Sequence, residues 1–274
     1  MKDFKTSQEI DPKDFPLRSS LFLYDKVEKK YDATWGLLCD NWNAAKRDRV
    51  IQKQIEYNCN FITYYLFHAG DPNCVVNPFV GCPTAQQVVE GQCTWDWAKI
   101  ERWMPFLRLG EIPGVWCVPT LFCGDDGATC NNTTFHDAFI PIIATSLHPY
   151  IDGINIASEA NKTMSVAMQE RVINVIKNAW KAAGQKEKFI FTHLQGLNTQ
   201  VPNGAVVLYQ FSWHPKYGTT KSVKDVVREG QQALAKYPYT LFQEMTIECE
   251  TLIARQQSKA LVKLPGCYMR PGPI

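Results

Sequence analysis

The amino-acid sequence predicts an α/β protein: a single (β/α)8 barrel with long, disulfide-braced loops at the carboxyl ends of its strands. Three observations lead there. Strand-like and helix-like segments alternate almost from end to end of the 274 residues, with a helix between most pairs of strands. No linker, internal repeat or low-complexity stretch divides the chain. The first strand runs into "CDNWNAAK", without the glycine-rich turn that an open, doubly wound sheet uses to cradle a phosphate.

Residues 1–32 read as an N-terminal extension packing on the barrel, and 33–274 as the barrel itself. "ATWGLLCD" (33–40) is β1, and "NAAKRDRVIQKQIEY" (43–57) is an amphipathic helix, α1, capped by Asn43. "NFITYYLF" (60–67) is β2. A long loop rich in Pro, Gly and Cys follows, then α2, "WDWAKIERWMPFLRLG" (95–110), stopped by Gly110. "GVWCVPTLF" (114–122) is β3, "TFHDAFIPIIATSLHPY" (134–150) is α3 and "DGINIAS" (152–158) is β4. The clearest helix is α4, "MSVAMQERVINVIKNAWKAAG" (164–184), with apolar residues at helical spacing and a closing glycine. "KFIFTHL" (188–194) is β5 and "AVVLYQFSW" (205–213) is β6, joined by a short connection. The series ends with α5 (221–237), β7 "YTLFQEM" (239–245), α6 (250–263) and β8 "GCYMR" (266–270). Such alternation supplies the crossover that every parallel pair of strands requires.

In such a barrel the chemistry sits where the strands end. Asp40 and Trp42 follow β1, His68 and Asp71 follow β2, and Asp125 and Asp126 follow β3. Glu159 follows β4, His193 and Gln195 close β5, Trp213 and His214 close β6, and Glu244 closes β7. This set is rich in carboxylates and tryptophans and poor in clustered metal ligands. Glu159 and Glu244 would face one another across the mouth. Two carboxylates flanking a sugar bond are what glycoside hydrolysis needs, one to protonate the leaving oxygen and one to attack or stabilise the oxocarbenium-like centre. A glutamate at a strand end is, taken alone, more often a cap or a solvated residue. The pairing of β4 with β7 raises the catalytic reading above that one.

At these residues the chain resembles the retaining (β/α)8 glycoside hydrolases of clan A. The resemblance implies that Glu159 of "INIASEANK" is the general acid/base and Glu244 of "YTLFQEM" the nucleophile. It also implies a sugar-binding role for Trp213, His214 and Tyr217 of "FSWHPKY", with Trp42, His68, Asp125, Ser158 and His193 as further substrate-binding candidates. Two departures stand out. Ser158 occupies the place where the clan usually has Asn, and Tyr268 is the nearest substitute for its usual β8 Trp. Ser158 keeps a catalytically silent, carbohydrate-binding barrel in play as an alternative. A metal-dependent barrel hydrolase is a third, starting from His68 and Asp71, although β1 lacks the paired histidines of that class.

Composition bounds the partners. Hydrophobic residues make up 45% and charged residues 20%, with a formal charge of +2, which leaves no nucleic-acid face and no polybasic membrane patch. No apolar run approaches the ~20 residues of a membrane span. The expected partner is an oligo- or polysaccharide, bound by a monomer that needs no cofactor and no metal. Ten cysteines, without any tight CxxC pair, suggest disulfides and an oxidising or extracellular setting, although the polar start "MKDFKTSQEIDPKDF" holds no leader. Cys123 with Cys130, and Cys74 with Cys82 or Cys93, are the expected pairs, while Cys39, Cys59 and Cys117 read as core residues. Asn131, Asn132 and Asn161 each begin an N-glycosylation pattern.

Overall fold

The computed structural model describes residues 116–122, 130–157, 159–210 and 222–236, together with the paired backbone of short strands at 24–25, 30–31, 61–62, 65–67, 79–80, 94–95, 241–244 and 267–269. Predicted β1, α1 and α6 lie outside the described residues, as does all but the first residue of α2. Trp95, that first residue, instead pairs as a strand: Thr94–Trp95 runs antiparallel to Phe79–Val80. Within the N-terminal extension, Tyr24–Asp25 pairs antiparallel with Lys30–Tyr31.

Seven strands form one parallel sheet in strict chain order: Tyr65–Phe67 of β2, Thr120–Phe122 of β3, Gly153–Ala157 of β4, Phe189–Gln195 of β5, Val206–Gln210 of β6, Leu241–Glu244 of β7 and Cys267–Met269 of β8. A doubly wound sheet reverses its strand order at a switch point, and this sheet has no reversal. Winding always in one direction is the arrangement of a barrel wall.

Predicted β2 and β3 were each continuous. In the structure β3 is broken once, into Trp116–Cys117 and Thr120–Phe122, while β2 is described at Phe61–Ile62 and Tyr65–Phe67. The two strands keep one register on either side of that break, from Phe61 opposite Trp116 to Tyr65 opposite Thr120. Pro119 sits in the gap and explains it, since proline has no N–H to give to a ladder. Its carbonyl still accepts from the Asn155 N–H at 2.8 Å, and the Cys117 carbonyl accepts from the Asp152 N–H at 2.8 Å. The Asp152 carboxylate takes the Cys117 N–H in return, at 2.7 Å, so β3 stays joined to β4 across the break. Cys117 is fully buried there, as expected of a core residue.

Two helices cover this part of the sheet. Predicted α3 ran to residue 150, but the helix spans Thr133–Leu147 and tightens into a 3-10 turn at His148–Tyr150, where Pro149 cannot continue the α-helical ladder. Asn132 caps its start by accepting the Phe135 N–H. Helix α4 spans Val166–Ala182, capped by Ser165, and buries Val172, Ile173, Ile176, Ala179 and Trp180 along one stripe. The Trp180 indole N–H reaches the Ala144 carbonyl of α3 at 2.9 Å, satisfying the polar end of a buried ring. On the strand side, the Thr192 hydroxyl donates to Gln169 of α4, at 2.9 Å, in a fully buried pair. Thr192 therefore faces the helices, and strand alternation turns Phe191, His193 and Gln195 to the opposite face. Gly153 lets the sheet close tightly beneath: a Cβ there would stand 2.6 Å from the Phe189 carbonyl oxygen and 2.8 Å from the Phe191 ring.

Candidate active site

The β4 strand ends at Ala157, two rungs before β5 does. Beyond it the chain turns out of the sheet at Glu159, whose backbone has φ 49° and ψ 41°, the left-handed region. Among the described residues it is the only non-glycine with positive φ. For an L-residue with a Cβ this conformation costs about 1–2 kcal/mol, so surrounding contacts must hold it there. Several do. The Glu159 N–H donates to His193 Nδ1 at 3.0 Å, and the Glu159 carbonyl accepts the Lys162 N–H at 2.8 Å, as a short helix, Ala160–Thr163, begins.

The carboxylate is held as well. Gln195 Nε2 donates to Glu159 Oε1 at 2.8 Å, and Lys162, three residues on, pairs with Oε2 at 2.5 Å. Glu159 keeps 21% of its side chain accessible and Lys162 52%, so the acid is largely covered while its cation is half exposed to solvent. His193 is buried. Because its Nδ1 accepts, a neutral ring carries its proton on Nε2. In this position the imidazole supports the backbone of the site.

Asn161 completes the turn. Its Oδ1 accepts the Gln195 N–H and its Nδ2 donates to the Gln195 carbonyl, each at 2.9 Å. Thr199 Oγ1 donates to the same carbonyl at 2.7 Å. A glycan on Asn161 would displace these contacts, so that glycosylation pattern conflicts with the turn.

On the other side of β5 the sheet is continuous. Gln195 is opposite Gln210, and Gln210 is opposite Gln243, with Glu244 one position further along β7 and opposite Met269. Extending the β4–β5 register from Asn155 and Phe191 sets residue 159 level with Gln195. The backbones of Glu159 and Glu244 thus lie within one residue of a common line, at the carboxyl edge of the sheet.

Of the other candidates, Trp42, His68, Asp125, Ser158, Trp213, His214 and Tyr217 lie outside the described residues, as do Cys74, Cys82, Cys93 and Cys123 with their expected pairings; Cys130 is buried. Asn161, Lys162 and Thr199 were not anticipated. Their signal in the sequence was only a run of small and polar residues after a strand. Among the described residues no three His, Cys, Asp or Glu gather into a metal-binding group, and no helix is long and apolar enough to cross a membrane.

No protein-family model and no curated protein matches this chain. Solved structures do. A glycoside hydrolase family 5 enzyme from Prevotella bryantii B14 is 13% identical with a TM-score of 0.58, the match covering 96% of this chain and 89% of that one. A family 5 xyloglucanase from Paenibacillus pabuli is 9% identical with a TM-score of 0.58, covering 94% and 90%. The exo-beta-1,4-mannosidase Op5Man5 from Opitutaceae bacterium strain TAV5 is 13% identical with a TM-score of 0.57, covering 93% of this chain and 54% of that one. At these identities the likeness is one of fold. The chain has an α/β architecture with a parallel sheet wound in one direction, similar in fold to these barrel enzymes.

Proposed function

We propose that this protein is a retaining glycosidase acting on an oligo- or polysaccharide, with Glu159 as general acid/base and Glu244 as nucleophile. The observation that carries the reading is the Glu159 turn: a carboxylate held at a strand end by a strained backbone and a buried histidine, near the register line of a second strand-end glutamate. Strained residues of this kind concentrate at functional sites. The fold likeness supports the substrate class, since one such structure of the Prevotella bryantii enzyme, a mutant, holds a xyloglucan tetradecasaccharide and another family 5 endoglucanase holds cellotetraose. On this reading β1 (33–40) closes the barrel between β8 and β2, residues 1–32 form an extension on it, and paired loop cysteines brace the cleft in an oxidising compartment.

In the first step Glu159 would give its proton to the leaving glycosidic oxygen while Glu244 attacks the anomeric carbon, forming a glycosyl-enzyme. Glu159 would then take a proton from water, which displaces Glu244. A retaining pair requires carboxyl groups ~5–5.5 Å apart. Both oxygens of Glu159 are engaged, by Gln195 and Lys162, so the leaving group would displace the exposed Lys162 ammonium. That same ion pair, with Ser158 in place of the clan's Asn, favours the second reading, a barrel that binds carbohydrate without cleaving it.

Single substitutions separate these roles. With Glu244→Ala, turnover should nearly vanish on every substrate. With Glu159→Ala, a dinitrophenyl glycoside should still form the glycosyl-enzyme, which accumulates until azide releases it as the glycosyl azide. Azide rescue of Glu244→Ala in its place reverses the assignment. Wild-type protein that binds but never cleaves a panel of β-glucan and β-mannan oligosaccharides establishes the silent barrel.

A further inference from the structure

The two bonds between Asn161 and Gln195 have the form of a missing rung. In a parallel sheet, every second residue of a strand turns both its N–H and its C=O toward the same neighbour. Gln195 turns both toward β4, but β4 has ended at Ala157; a longer strand would have met it with the carbonyl before and the N–H after position 159, the residue level with it. The primary amide of Asn161 offers one acceptor and one donor in a plane, as a peptide group does. It takes the vacant place, meeting the Gln195 N–H and carbonyl at 2.9 Å each. The peptide groups on either side of residue 159 are thereby released from the ladder, free to adopt the left-handed turn that carries the carboxylate out of the strand. The same residue that Asn161 anchors by its backbone then holds Glu159 by its side chain, at 2.8 Å.

We propose that Asn161 is the positioning residue of Glu159: its amide substitutes for a strand rung, fixes Gln195, and through Gln195 sets the carboxylate. The inference rests on the reading of Glu159 as the proton donor, and its test separates the two. Asn161→Asp keeps the size and the acceptor but has no N–H for the Gln195 carbonyl. Asn161→Ala removes both. The full-length wild type and both variants would be crystallised and assayed with cellotetraose and 2,4-dinitrophenyl β-cellobioside. For both variants the expected structure has Glu159 out of the left-handed region and its carboxylate out of hydrogen-bonding distance of Gln195. A misplacement of that size costs ~10²-fold in reactions that need the group. The expected loss is therefore ~10²-fold in kcat/KM for cellotetraose, whose leaving group must be protonated, and less than about threefold for the dinitrophenyl substrate, whose leaving group departs unaided. General destabilisation would lower both alike, and equal losses overturn the proposal. Glu159 still left-handed and still bonded to Gln195 in Asn161→Asp overturns it also. If the wild type cleaves neither substrate, the activity assigned to the site fails, and the crystal structures alone decide the positioning role. Should Asn161→Ala not fold, Asn161→Asp carries the test.

Discussion

The body of the sheet and its carboxyl edge are held by opposite means. Between β4, β5, α3 and α4 the contacts are apolar and interlocking: Ile154, Ile156, Ile176 and Trp180 are essentially inaccessible, as is Phe191 on the opposite face of the sheet, and the Trp180 indole and the Thr192 hydroxyl find polar partners. Two residues beyond Ala157 the chain is held by hydrogen bonds to a histidine, a glutamine and an asparagine, against its own backbone preference. Packing tolerates any side chain of the right volume and hydrophobicity, whereas a directional network tolerates only the right donor or acceptor. Stability should therefore be concentrated in the body and function at the edge.

The sharpest way to break that contrast is in the body. Phe191→Ala should lower stability by about 3–5 kcal/mol, read as a drop in urea midpoint at unchanged slope. A cost under about 1 kcal/mol would mean that this face is not close-packed. Next comes Gly153→Ala, whose added methyl meets the Phe189 backbone carbonyl. It should cost about 1–3 kcal/mol by overpacking while leaving the proposed dinitrophenyl glycosidase activity of the folded protein unchanged. The smallest effect is electrostatic and lies at the far end of the sheet. Burial holds His148 below the ordinary imidazole range. The Lys186 carbonyl pulls it partly back, and the Lys188 charge lowers it further. The unfolded chain then takes up the proton more readily than the folded one. Stability from this group is fully present above the ordinary value near ~6.5 and is lost as pH falls through the lower folded value. His148→Gln should flatten a small fall in Tm between about pH 7 and about pH 5, without altering the kinetics of the edge.

Much of the body was legible in the sequence because local rules decide it. The α4 stripe and its glycine stop, and the β-branched run of β4, each follow from periodicity and composition, and the structure matches them to within a few residues. The break in β3 at Pro119 and the end of α3 at Pro149 were not read, and a proline alone does not decide such an end, since Pro141 sits inside α3 without stopping it. At the edge the positions could be read, Glu159, His193, Gln195 and Glu244 as polar residues closing strands, but not their contacts. That His193 would serve the Glu159 backbone, or that Asn161 would complete a rung for Gln195, depends on partners more than thirty residues apart meeting across a register. No local pattern encodes that.

The left-handed backbone at Glu159 also bears on how this chain can change over generations. Glycine and asparagine occupy that conformation at far lower cost than glutamate. A population selected for thermal tolerance alone should drift away from the acid at this position, while one screened for turnover should retain it. The residue at 159 would thus record which of the two demands a lineage has met.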